Sequence, residues 1–200
     1  MGQPLILRHT YTRSRDTTRA GLRYYQMRPR GEGEPPRSIF GAAGTMARDE
    51  AYRLLDGHQA RGYLAHRLML SPPEDLRPDD LRDFTRHVLR ELERDKGQRL
   101  HWVAVEHRNT AHPHVHVVLA GGAGDGPRRE LRLDRADHAC IKEDGLDYCR
   151  LAARVRDDWD RALAAATREA DAGRATDAGR PPRAATPTAS HGRDGDWERG

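Results

Sequence analysis

Four of the chain's eleven histidines, His107, His112, His114 and His116, fall within ten residues, and they are the side chains best equipped to do chemistry. An imidazole can be a metal ligand, a proton carrier or a nucleophile, and its surroundings decide which. Leu100 to Glu106 before the group and Val115 to Leu119 after it are rich in β-branched side chains, with alternation in the first. Both read as strands, joined by a short loop as an antiparallel pair. Alternate strand positions share a face, so His114 and His116 point the same way, and His107 at the end of the facing strand can reach them. Three neutral imidazoles in that arrangement suit a metal ion with open coordination positions. A lone His-x-His is ambiguous, because histidine also fills half-buried positions, and it is His107 that changes the balance. Pro113 disrupts pairing and leaves His112 in the loop, while His101 lies farther back along its strand as a packing residue.

The elements that must carry this group can be read in chain order. Pro4 to Thr12 reads as a strand, and Thr17 to Met27 as a short helix capped by Thr17 or Thr18. Pro29, Gly31, Gly33, Pro35 and Pro36 break regular structure. Thr45 can cap a second helix through about Leu55, and Tyr63 to Leu70 reads as a strand. Leu81, Phe84, Val88, Leu89 and Leu92 recur at helical spacing between about Pro78 and Lys96, with Gly97 as a stop. After the histidine hairpin, Gly121 to Pro127 is a turn and Glu130 to Leu133 a short strand. Gly145 to about Ala170 reads as a final helix, with Leu151, Val155, Trp159 and Leu163 at four-residue intervals. No internal repeat or Gly-rich phosphate loop is present. The order predicts an α+β fold, with a central, mainly antiparallel sheet carrying the histidine cluster and helices packed on one of its faces.

Length allows one domain, residues 1–170, followed by a disordered polar tail, 171–200, in which only Trp197 is bulky. The apolar content of 36% includes no run long enough for a membrane segment, and the apolar stretch at the N-terminus is too short for a secretory signal, so a cytoplasmic location is expected. Cys140 and Cys149 form no Cys-x-x-Cys pair and read as buried thiols. Residues 1–40 hold eight arginines against Asp16, Glu32 and Glu34. Clustered guanidinium groups suit a polyanion, although the near-absence of lysine, with only Lys96 and Lys142, is equally a compositional habit.

His107-x-Asn109-x-x-His112-Pro113-His114-Val115-His116 resembles the third motif of the conjugative relaxases and plasmid mobilisation nucleases, a branch of the His-hydrophobe-His (HUH) endonucleases. His66 to Pro72 resembles the strand of their second motif, and the likeness covers roughly residues 1–165. It implies an enzyme that nicks one DNA strand at a transfer origin, for conjugative transfer or plasmid mobilisation. A tyrosine hydroxyl performs the cut, leaves a tyrosyl 5′-phosphate and a free 3′-hydroxyl, and later religates the strand. The implied partners are single-stranded or supercoiled origin DNA and accessory relaxosome proteins. The implied cofactor is a divalent cation, Mg or Mn, on His107, His114 and His116, with Asn109 and His112 beside them. Asn109 stands where many members have Asp, and it can neither act as a base nor add charge to the site. Leu22 to Arg28 resembles the first motif, which makes Tyr24 or Tyr25 the nucleophile; the apolar residue that usually follows the reactive tyrosine favours Tyr24. Arg19, Arg23, Arg28 and Arg30 flank the pair as candidate DNA-backbone contacts.

Two other functions compete. A histidine-triad nucleotide hydrolase or transferase would use His114 as a metal-free nucleophile, but it leaves His107 and the tyrosines unexplained. An Arg-rich DNA-binding module without activity would need only the charge. A cupin is disfavoured because no Glu follows His116 within a few residues.

Overall fold

A computed structural model describes residues 3–28, 35–108, 110–124 and 129–178. The chain divides into two compact units, Met1–Asp157 and Asp158–Gly200. The first holds β1 (Ile6–Thr12), α1 (Arg15–Met27), β2 (Ile39–Phe40), β3 (Thr45–Met46), α2 (Arg48–Gly57), β4 (Ala65–Ser71), α3 (Leu81–Lys96), β5 (Trp102–His107), β6 (His114–Ala120), β7 (Gly122–Ala123) and β8 (Arg129–Glu130). A last helix, α4, runs Arg135–Ala178 and continues into the second unit.

Six strands form one antiparallel sheet in the order β1-β4-β6-β5-β2-β3, while β7 and β8 pair separately. The expected hairpin is β5–β6, with Ala104 opposite Val117 and His107 opposite His114. Strand alternation sorts the core into two layers. Val103, Val105, Val118 and Ala120 pack with Leu22 of α1 and with Ala51 and Leu55 of α2. Leu68, Leu70, Trp102, Val115, Val117 and Leu119 pack with Leu81, Phe84, Val88, Leu89 and Leu92 of α3 and with Ile141 and Cys149 of α4. Helices therefore cover both faces of the sheet, not one. The β5–β6 core explains this, since its strands are apolar on both sides and each side needs cover.

Several element boundaries differ from the sequence expectation for identifiable reasons. Helix α1 starts two residues early because Ser14, not Thr17 or Thr18, caps it, its hydroxyl accepting from the Thr17 N–H. Thr18 instead donates to the Ser14 carbonyl and shares a 2.6 Å hydroxyl contact with Thr12. Thr45 does not cap α2; it lies in β3, paired with Phe40, and the α2 N-cap Ala47 offers no side-chain bond. Strand β2, two residues long, is too short to give a period in the sequence. Helix α4 begins at Arg135, where Asp134 accepts from the Ala136 and Asp137 N–H groups and Asp137 accepts from the Asp134 N–H. Gly145 is interior to this helix; a Cβ there would stand 2.5 Å from Leu5 Cδ1, so it marks close packing and not a start. Leu151, Val155, Trp159 and Leu163 are exposed, at 57–70% of their surface. They lie past Cys149, the last α4 residue of the core. Cys149 is buried, with its thiol pushed up to about 12 by burial, but Cys140 is exposed. Of the tail expected over 171–200, residues 171–178 instead continue α4, and the rest lies outside the described residues. Among the described residues, no helix is long and apolar enough to cross a membrane.

Candidate functional site

The three histidines come together because of strand register. His107 and His114 are direct cross-strand partners, and His116 is two positions along the central strand β6, so all three leave the same face at the end of the hairpin. Their ring centroids are 4.8–5.1 Å apart, and one nitrogen from each lies within 4.8 Å of the others. Among the described residues this is the one group of three or more His, Cys, Asp or Glu able to hold an ion.

Hydrogen bonding fixes two of the tautomers. His107 Nε2 donates to the Tyr25 carbonyl at 2.8 Å, which leaves Nδ1 as a bare acceptor. That Nδ1 is buried with no partner. His114 Nδ1 donates to the His112 carbonyl at 2.8 Å, which frees its Nε2. His116 Nε2 is buried and also without a partner. Unpaired buried nitrogen is costly, and three imidazole nitrogens gathered this closely are what a cation requires. The residues fit a divalent metal.

The electrostatics agree. Burial is the main cause that pushes His107 down to about 4 and His116 down to about 3, and it lowers His114 as well. Neighbouring imidazoles and the Arg28 and Arg37 guanidinium groups add to these shifts. All three rings are therefore neutral at neutral pH, the state in which imidazole ligates.

Helix α1 roofs this cluster. Tyr25 lies flat on His116 with centroids 3.9 Å apart and 5° between planes. Its hydroxyl pKa is raised, chiefly by burial, against the opposing pull of the hydrogen-bonded Arg67 guanidinium. Tyr24 is 57% exposed and meets the Tyr25 ring edge-on at 6.1 Å. The two tyrosines thus occupy distinct places, one packed over a histidine and one facing solvent.

The arginines also divide. Arg19 pairs with Asp56 of α2, stands 5.2 Å from the Tyr52 ring, and so ties α1 to α2. Arg23 and Arg28 are exposed. Arg30 and Asn109 lie outside the described residues. His112 is exposed and takes part through its carbonyl, which orients His114 and also accepts from Thr110 Oγ1. His101 is stacked on His58 at 3.5 Å, away from the cluster.

Sequence reasoning missed Arg37 and Arg67. Arg37 is only 6% exposed and holds the end of α1 through its N–H to the Gln26 carbonyl and its Nη1 to the Arg28 carbonyl at 2.6 Å. One of eight early arginines carries no spacing signal, and only the return of the chain from α1 to β2 brings it under the site. Arg67 was hidden in a strand pattern, where its parity with Ala65 was the available sign that it faces α1.

Residues 45–121 match the model of a family described as "Relaxase: MobA/VirD2-like, nuclease domain", which supports a relaxase and mobilisation nuclease family for the chain. The match runs from β3 past the end of β6 and contains all three histidines, whereas Tyr24 and Tyr25 precede it. No curated protein matches the chain.

Proposed function

We propose, from the premise of a relaxase-family nuclease, that this protein nicks and religates one DNA strand at a transfer origin through a tyrosyl 5′-phosphate, serving conjugative transfer or plasmid mobilisation. The observation that carries this reading is the convergence of three neutral imidazoles, two of them with orphaned buried nitrogens, directly beneath a helix bearing two tyrosines. His107, His114 and His116 would hold Mg or Mn. When bound, such a cation polarises the oxygens of the scissile phosphate.

Tyr24 is the proposed nucleophile. It is exposed and one ring beyond the His116–Tyr25 stack, where a DNA backbone can approach it. Its oxygen bonds to phosphorus, the bond from phosphorus to the 3′-oxygen breaks, the phenol proton is lost and the leaving oxygen becomes a 3′-hydroxyl. A neutral phenol is a weak nucleophile, so it needs cationic surroundings. Arg28, with Arg37 behind it, supplies fixed positive charge beside the cluster. Tyr25 serves as a wall that holds His116, and Arg23 and Arg28, with Arg30, contact the DNA backbone. Residues 1–170 are the catalytic domain in this reading, with cytoplasmic DNA as substrate and accessory relaxosome proteins as partners. The histidine-triad alternative gives His107 no role, yet His107 is the cross-strand partner of His114.

The test is incubation with supercoiled plasmids carrying candidate transfer origins and Mn. Wild type should give open circles with protein covalently attached, and Tyr24→Phe and His114→Ala should give neither. Absence of nicking by wild type across several origins would sink the proposal, while an adduct in Tyr24→Phe but not Tyr25→Phe would move the nucleophile by one residue.

A further inference from the structure

On the sheet face opposite the three imidazoles, five aromatic rings form a continuous row. Tyr11 and Tyr63 meet edge to face at 4.6 Å, Tyr63 is 5.4 Å from His66, His66 is 5.2 Å from His9, and His9 is 4.9 Å from His138. Tyr11 and His66 are paired across β1 and β4, so they share this face with Leu68 and the α3 layer.

The protons in the row have one arrangement. The Leu131 carbonyl only accepts, so His66 Nε2 donates to it at 2.9 Å. His66 Nδ1 then accepts from His9 Nε2 at 3.0 Å, and His9 Nδ1 accepts from His138 Nε2 at 2.8 Å. Every ring nitrogen of His9 and His66 is used, and burial keeps both rings neutral. They present flat, uncharged surfaces and offer no free donor.

Four of these rings, His9, Tyr11, Tyr63 and His66, line a cleft of about 680 Å³ together with Thr10, Leu133 and the oppositely charged pair Arg132 and Asp134. The cleft is open, with Tyr11 50% exposed. Beside the cleft lining, the Arg13 guanidinium stands over the same two tyrosines, 5.5 Å from the Tyr11 centroid and 5.6 Å from that of Tyr63. Aromatic rings lining an open cleft, with a guanidinium against two of them, have the chemistry of a base-stacking platform, in which a base lies against the rings and its phosphate meets the guanidinium.

We infer that this cleft binds one nucleotide of single-stranded DNA, with its base against Tyr11 and Tyr63 and its phosphate at Arg13, as a contact point on the far side of the sheet from the histidine cluster. The inference rests on the reading of the protein as a DNA-strand nuclease. The strand β1 is an edge of the sheet, around which a DNA strand can turn from the histidine face to this one.

The test is fluorescence anisotropy of a labelled oligodeoxythymidylate in a chelator, so that no cutting intervenes, with free thymidine monophosphate as competitor. Tyr11→Leu should raise Kd about tenfold, whereas Tyr11→Phe, which keeps the ring, should bind like wild type. Arg13→Gln should lower the slope of log K against log salt by about 0.7. Wild-type affinity in Tyr11→Leu overturns the inference, and so does a wild type that binds the mononucleotide but not the oligonucleotide. An unchanged slope in Arg13→Gln overturns the phosphate assignment. If Tyr11→Leu weakens binding but no origin is ever nicked, the platform stands and the nuclease reading falls. If origins are nicked and Tyr11→Leu binds normally, the platform alone falls.

Discussion

The Tyr25 ring lies parallel to the His116 ring, 3.9 Å away, while the Tyr25 carbonyl accepts the Nε2 proton of His107 at 2.8 Å. One residue of α1 therefore orients two of the three candidate metal ligands, one through its side chain and one through its backbone. Stacked aromatic pairs contribute about 0.5–1.5 kcal/mol beyond burial. Tyr25→Leu should then weaken Mn binding about threefold to tenfold, and Tyr25→Phe should leave it unchanged, as read by calorimetry. Equal affinities in all three proteins would remove Tyr25 from the metal site.

The orphaned nitrogens of His107 and His116 predict a strong thermal response to metal. A ligand at a hundredfold excess over its Kd stabilises the native state by about 2.7 kcal/mol. For a domain of this size that is a rise in Tm of about 5–10 °C. Wild type should show it with Mn, and His114→Ala should not. A shift of the same size in the variant would place the ion elsewhere.

Acid should destabilise the metal-free protein over a defined window. His107 and His116 have folded pKa values of about 4 and about 3, below the ordinary imidazole value of about 6.5 in an unfolded chain. Between those limits the unfolded state binds more protons, so stability rises with pH. Their contribution is complete above about pH 6.5 and is lost progressively as the pH falls through about 4 and 3. Urea midpoints measured in a chelator should fall across that range for wild type and fall less for His116→Gln.

Arg19 and Arg23 are one turn apart on α1 and should behave oppositely. Arg19 is bound to Asp56, in a half-exposed ion pair, so Arg19→Gln should cost roughly 0.5–1 kcal/mol of stability with little change in DNA binding. Arg23 is exposed, and Arg23→Gln should leave stability alone and flatten the salt dependence of oligonucleotide binding by about 0.7. Identical effects of the two substitutions would contradict this division.

Gly121 closes the central strand where no side chain fits. A Cβ there would lie 1.6 Å from the Tyr63 carbonyl oxygen, a backbone atom that cannot rotate away. The Gly121 N–H also donates to the Leu64 carbonyl, and its own carbonyl accepts from the Leu131 N–H. Gly121→Ala should destabilise the domain by about 3 kcal/mol or more, seen as a lower urea midpoint. A wild-type midpoint would mean that this junction is looser than its hydrogen bonds imply.

The sequence by itself determined the hairpin and which imidazoles gather on one of its faces. Two strands with β-branched cores, a parity of two between His114 and His116, and His107 at the facing strand's end leave little freedom for where the imidazoles point, because strand geometry is local. The amphipathic face of α3 was legible for the same reason. Tertiary structure decided what no periodicity encodes. It put helices on both faces, since the apolar strands β5 and β6 require cover on each side, and it made Gly145 a packing contact with Leu5 instead of a boundary. It also gave Tyr24 and Tyr25, neighbours in sequence, different surroundings, and brought Arg37 and Arg67 to the site from β2's approach and from β4. Those placements depend on contacts between residues far apart in the chain, where the free energy lies in burial and hydrogen bonding across elements and leaves no mark on the local pattern.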